Sequence, residues 1–215
     1  MKLAHLHHKS LQLTEPIWHV QLAVLAAIGL QLSLSSSLTF GPKYIIAGAE
    51  VLLLLALTVI GPGEHAAVMR IRRTLAMFLI ALISVVNIGS LVIVLSALFS
   101  GSHITGRELI ISSVTIYLTN IIMFGLWYWE LDNVKHREQD FLFPQVTAGS
   151  DVTGQPNWSP AFFDYLYISI TNASAFSPTD TLPLTHRAKL LMSSQSMVSL
   201  VTVVLVTARA VNILA

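Results

Sequence analysis

The chain has 215 residues, 54% of them hydrophobic and 11% charged, with a mean hydropathy of +0.71 and a formal net charge of +1. Soluble domains carry nearer a quarter charged residues, so this composition excludes an ordinary soluble domain, and the near-neutral charge gives no ground for binding nucleic acid. With no cysteine, disulfides, thiolate metal sites and a cysteine nucleophile are excluded as well.

A helix needs ~20 mainly apolar residues to cross the hydrocarbon core, and several stretches qualify. Residues 1–16, MKLAHLHHKSLQLTEP, are a polar tail. No small-residue cleavage site follows at the right distance, which predicts a first span that is retained. That span runs from Ile17 to about Leu38, behind Pro16 and an interfacial Trp18, and Gly41-Pro42 marks a turn. The second span, Tyr44 to Ile60, is closed by Gly61-Pro62-Gly63. A basic loop containing Arg70, Arg72 and Arg73 leads to the third span, Thr74 to about Phe99. The fourth runs from Glu108 to about Tyr128 and ends in an aromatic belt, Trp127, Tyr128 and Trp129.

A polar loop, Glu130 to Ser159, separates these spans from the short mixed segment AFFDYLYISITNASAFSPTD and the last span, Ala188 to Ala215. The expectation is an all-α polytopic membrane bundle in three parts: the tail, three spans within 17–104, and a C-terminal module over 105–215. Cytoplasmic loops collect Lys and Arg, so the Arg70–Arg73 cluster places the loop between spans two and three inside. The N-terminus and the loop after span four follow it there. Two topologies then remain open. A full crossing by the mixed segment gives six spans with the C-terminus inside. A re-entrant dip gives five with it outside, and keeps Arg187 and Lys189 inside.

The run FFDYLYISITNASAFSPTDTLPLT, with the closing VLVTARAVNIL, resembles the pore module of potassium channels. Phe163, Asp164, Leu166, Tyr167 and Ser169 match the pore helix, Asp180 the aspartate after the filter, and Pro183 the proline beyond it. Thr185 to Lys189 match the start of the inner helix, and Ala208, Arg209 and Val211 its end. The resemblance implies an outer helix at 108–128, a pore helix at 161–172, a filter-like turn at 173–180 and an inner helix at 188–215. It also implies a homo-oligomer, a tetramer by analogy, with a monovalent cation as partner and the ion path lined by Thr171, Asn172 and Ser174 to Asp180. Where those channels carry T-V-G-Y-G, this chain has Ala175, Phe176, Ser177, Pro178 and Thr179. A potassium filter uses successive backbone carbonyls in place of the ion's water, and its glycines take positive φ at no steric cost. Ser177 and Thr179 stand at both glycine positions, and Pro178 has φ fixed near −65°. Potassium selectivity is therefore not expected. The same pattern is similar to a family of uncharacterised bacterial inner-membrane proteins with a filterless polar turn, which implies that location.

Each polar residue has a structural role beside a functional one. The turn Thr171 to Asp180 is either a re-entrant element or a connector outside the membrane. Asp164 is read as a cap on the short helix; Asp180 is either a pore-mouth acid or a turn residue. Glu50 and Arg209 are intramembrane charges that could pair in the five-span topology. Asn87, Asn120 and Asn212 are expected to bond between helices. His5, His7 and His8 lack the further ligands that a metal site needs and read as a solvated tail. No Walker loop, zinc motif or nucleophile elbow appears, so the expectation is a protein that is not an enzyme and needs no metal or cofactor. The alternative to a channel is a non-conducting scaffold, accessory subunit or small-molecule transporter.

Overall fold

A computed structural model describes residues 18–60, 66–100, 105–132, 139–148, 158–177 and 180–214, the side chains of 209–214 excepted. Helices α1 (Trp18–Ser33), α2 (Lys43–Ile60), α3 (Ala66–Phe99) and α4 (Gly106–Asp132) come first. Then follow β1 (Phe141–Leu142), α5 (Pro144–Ala148), α6 (Phe162–Ala175), β2 (Leu182–Pro183) and α7 (His186–Leu214). Helices α2, α3, α4 and α7 are long and apolar enough to cross a membrane. At 1.5 Å per residue, the 16 residues of α1 reach only ~24 Å.

Several boundaries differ from the sequence expectation for local reasons. The first helix stops at Ser33 rather than near Leu38, where serines begin to bond locally instead of continuing the helical ladder. The Ser33 hydroxyl donates to the Leu30 carbonyl at 2.7 Å, and Ser35 and Ser37 pair with each other. The Arg70–Arg73 segment is not a loop. It lies in the first turns of α3, where Ala, Met, Arg and Leu all favour helix. The fourth helix starts two residues early behind a reciprocal capping box. Glu108 Oε2 accepts from the Thr105 amide at 3.1 Å, and Thr105 Oγ1 accepts from the Glu108 amide at 3.3 Å. It also continues past the aromatic trio to Asp132, so the polar loop begins three residues later than expected. Within that loop, β1 pairs antiparallel with β2, Phe141 opposite Pro183 and Leu142 opposite Leu182.

Helix α4 is the centre of the bundle, packing on α1, α3, α6 and α7, while α2 packs on α1 and α3. Ile116, Met123, Leu126 and Tyr128 of α4 are essentially inaccessible. Tyr128 is therefore not an interfacial belt residue but part of the core, in edge contact with Phe141. Cross-links fix the directions of neighbouring helices. Gln21 donates to Thr58 Oγ1, so α2 runs against α1, and Trp127 Nε1 donates to Ser84 Oγ while Glu130 pairs with Arg73 at the start of α3, so α4 runs against α3. Two glycines permit close approach. A Cβ on Gly125 would stand 3.3 Å from the Leu166 Cα of α6, and one on Gly89 would meet the Phe40 ring at 2.5 Å.

Candidate functional site: the hairpin between the fourth and last helices

The chain enters and leaves the segment 162–185 at one end of the bundle. Tyr165, in the first turn of α6, donates its hydroxyl to Asp132 Oδ2 at 2.6 Å, and the other oxygen of Asp132 accepts from the Asp140 amide at 2.7 Å. Asp140 holds the return: its carbonyl accepts from the Leu184 amide at 2.8 Å, and its Oδ1 accepts from Thr185 Oγ1 and from Arg187 Nε at 2.8 Å. One buried aspartate thus ties β2 and the start of α7 to the end of α4. Between these points α6 runs back along α4. Ser169 Oγ donates to the Ile121 carbonyl at 2.6 Å, a level ~16 Å from Asp132 at 1.5 Å per residue. Ser169, midway along α6, is therefore level with the middle of α4, and the tip lies further along.

Asp164 stands at the third helical position of α6 and accepts from the Ala161 amide at 2.7 Å, the capping role read from the sequence. Burial raises its carboxyl above the usual range, and the Ala161 amide opposes that shift. Phe176 closes α6 with φ 53°, a left-handed conformation that is uncommon for a bulky residue.

Inside the hairpin, Gln195 of α7 joins three helices. Its Oε1 accepts from the Tyr128 hydroxyl at 2.5 Å and from Asn172 Nδ2 at 2.9 Å, while its Nε2 donates to the Ser169 carbonyl at 3.0 Å and to Ser169 Oγ at 2.6 Å. Asn172 also donates to the Met192 carbonyl at 2.9 Å and accepts from Ser196 Oγ at 3.1 Å. All of Ser169, Asn172, Tyr128 and Gln195 are buried.

The residues read from the sequence as a pore element thus divide. Ser169 and Asn172 turn into their own chain. Phe163 and Tyr167 are exposed on the outer face of α6, and Thr171 is half-buried with its hydroxyl on the Tyr167 and Ile168 carbonyls. Ser174, Ala175, Phe176, Ser177 and Asp180 are exposed, with Ser174 donating to the Ile170 carbonyl at 2.8 Å. Pro178 and Thr179 lie outside the described residues.

The other intramembrane polar groups are elsewhere. Asn120 donates to Ser199 Oγ at 3.0 Å between α4 and α7, as expected. Asn87 does not bond between helices: both its amide atoms are buried without a hydrogen-bond partner among the described residues. Val86, Ser90 and Leu91 near it on α3 are buried as well. Glu50 is wholly buried on α2 against Gln31 of α1. The side chains of Arg209 and Asn212, and the histidines of the tail, lie outside the described residues. Sequence reading missed Tyr128, Asp140, Gln31 and Gln195. The two glutamines had a usable signal, an amide within the apolar runs IGLQLSL and MSSQSMVSL.

No family model matches this chain, and neither a curated protein nor a solved structure matches it. The fold by itself defines a class: a helical membrane protein in which, among the described residues, four helices are long and apolar enough to span a bilayer. Within that class, the distinguishing feature is the hairpin held between α4 and α7.

Proposed function

We propose that residues 162–185 form a re-entrant hairpin in a five-span membrane protein, and that copies of the chain assemble around it to line an ion path without potassium-type filter chemistry. The supporting observation is the combination of anchors and tip. Entry and exit are both tied to Asp132 and Asp140, while Ser169, midway along α6, lies level with the middle of α4, and beyond it Ser174, Ala175, Phe176 and Ser177 are exposed. Irregular backbone at membrane depth persists only when buried in protein or facing a wet cavity. An exposed tip on one chain therefore calls for a neighbouring copy or for water.

The charge distribution supports entry from the cytoplasmic side. Arg70, Arg72 and Arg73 open α3, Arg187 and Lys189 open α7, and both helix starts belong to the end where α4 finishes. Under this reading the location is a bacterial inner membrane, the assembly is a homotetramer by resemblance, and the permeant species is a monovalent cation. Asp180 supplies an acidic ring at the mouth.

A second reading has its own observation. Ser169 and Asn172 spend their polar groups on Tyr128, Met192, Gln195 and Ser196 of the same chain, as a packed, non-conducting scaffold would. Liposome flux of sodium and potassium by the purified protein, compared with Asp180→Asn, separates the two. Cation flux reduced by Asp180→Asn, with an oligomer in detergent, is the expected result. A monomer that passes neither ion refutes the channel and leaves the scaffold.

A further inference from the structure

Glu50 sits inside a helix whose other residues from Ile45 to Leu57 are all apolar. Its relative exposure is 0%, and that of Gln31, facing it from α1, is 4%. With the Gln31 nitrogen toward the carboxyl, it donates to Oε1 at 3.1 Å and to Oε2 at 3.2 Å.

Counter-ions are the first thing such a carboxyl needs. The ion pairs among the described residues are Arg73 with Glu130 and Arg187 with Asp140, both at the far end of α4. The elements packed against α2 are α1 and α3. On α1 the titratable side chain is His19, twelve residues before Gln31 and therefore ~18 Å along the axis. On α3 the charged side chains are Arg70, Arg72 and Arg73, in its first turns, beyond the C-terminal end of α2. On α2 itself, Lys43 lies two turns earlier and gives its ammonium to the Leu34 carbonyl at 2.6 Å, and Tyr44 is exposed. A carboxylate enclosed in apolar helices without a cation is costly, whereas a carboxylic acid is a neutral donor that one amide satisfies.

Gln31 suits both forms of that group, because a primary amide offers an acceptor on one side and a donor on the other. We propose that Gln31 and Glu50 form a proton-binding site within the membrane. Glu50 holds a proton and donates it to Gln31 Oε1; on release, the amide turns and Nε2 donates to the carboxylate. The contact between α1 and α2 is kept in both states, so a proton can be taken up or given away without the helices parting. This site is separate from the hairpin and does not depend on conduction through it.

The test uses the full chain reconstituted in bilayers at neutral pH. Dicyclohexylcarbodiimide, an apolar reagent, consumes a protonated carboxyl. The acid proton passes to a carbodiimide nitrogen, the carboxylate oxygen bonds to the central carbon, and acyl migration leaves a stable N-acylurea. Peptide mass spectrometry should find the adduct on Glu50, and Glu50→Gln should abolish it. Infrared spectra supply a second measurement that needs no reagent access. A carboxylic-acid C=O band should be present at neutral pH, shift in D2O, vanish in Glu50→Gln, and move to higher frequency in Gln31→Leu as its hydrogen bond is lost. Absence of that band overturns the proposal. So does a band that appears only in Arg209→Gln, which would reveal a carboxylate already paired with that arginine.

Discussion

Replacing Gln195 with leucine removes the hub of the hairpin while changing side-chain volume little, so the loss is polar rather than steric. Four hydrogen bonds disappear: two accepted by Oε1, from Tyr128 and Asn172, and two donated by Nε2, to the carbonyl and hydroxyl of Ser169. Side-chain bonds between membrane helices average ~0.6 kcal/mol and reach ~1.7. Four of them account for ~2.4 kcal/mol at the average value. The Tyr128 hydroxyl is then left inaccessible, with the Asn172 amide nitrogen at 3.4 Å the other described contact. An orphaned buried donor costs a further ~1–3 kcal/mol. The expected destabilisation is ~4 kcal/mol, measured by reversible unfolding in mixed detergent micelles followed by circular dichroism.

A second readout locates the loss. The chain has no cysteine, so Ala173→Cys introduces a single thiol at a wholly buried position of α6. It should resist a polar maleimide in the parent and react when Gln195→Leu is added. Tyr128→Phe should cost ~1 kcal/mol alone but recover part of the loss once Gln195 is gone, because it then removes the orphaned hydroxyl. If Gln195→Leu changes stability by less than ~0.5 kcal/mol and leaves the Ala173→Cys thiol protected, the polar network is not what holds the hairpin.

Three further outcomes follow from particular contacts. Asp140→Ala should lower stability by ~1.5–3 kcal/mol, in the range for hydrogen bonds to a charged group, and more than Arg187→Ala, since Asp140 also holds Thr185 and the Arg187 side chain is half-exposed; paired unfolding curves decide it. Gly89→Ala should cost ~1–3 kcal/mol through the overlap of the new methyl with the Phe40 ring, and Phe40→Leu should recover part of that in the double variant. Asp164→Ala should cost ~1 kcal/mol as a lost helix-start contact. Asp164→Asn, which keeps an acceptor for the Ala161 amide without a charge that burial disfavours, should stay within ~0.5 kcal/mol of the parent.

The long helices were legible because lipid imposes one simple rule, and runs such as LLLLALTVI satisfy it without reference to the rest of the chain. The short helix was legible for another reason. It came from the resemblance to a pore module, which put a helix at 161–172 where α6 runs from Phe162 to Ala175, and Asp164, read as its cap, stands at its third position. What could not be read was which polar residues meet. Tyr128 lies between two tryptophans and has the composition of an interfacial belt. Only the path of α7 antiparallel to α4, which brings Gln195 against it, makes it a core residue. Asp140 sits in a charged loop sequence, and its role depends on Thr185 and Arg187, 45 and 47 residues away. Asn87 shows the converse, a residue of the right type that meets no hydrogen-bond partner among the described residues.

The hydroxyls of this chain fall into two groups, and the division bears on what the hairpin tip can offer an ion. Thr58 and Ser84 donate to the carbonyl four residues earlier in their own helix and also accept from Gln21 and Trp127. Ser96, Ser113 and Thr202 each donate to the carbonyl four residues earlier in their own helix, which makes a polar side chain tolerable in lipid without joining it to a neighbour. Thr171 and Ser174, both expected to line an ion path, do the same. Their protons are spent, so these oxygens are left as acceptors, the polarity that suits a cation and not an anion. Asn172, by contrast, is held by α7 from the side of its own chain, so it can serve an ion only by releasing Met192 and Gln195. A tip built this way ranks its residues. Ser174→Ala should reduce cation flux without unfolding the hairpin, since an exposed hydroxyl bonded to its own helix contributes little to packing. Asn172→Ala should impair stability and flux together. Equal flux in Ser174→Ala and the parent would move the path away from the tip.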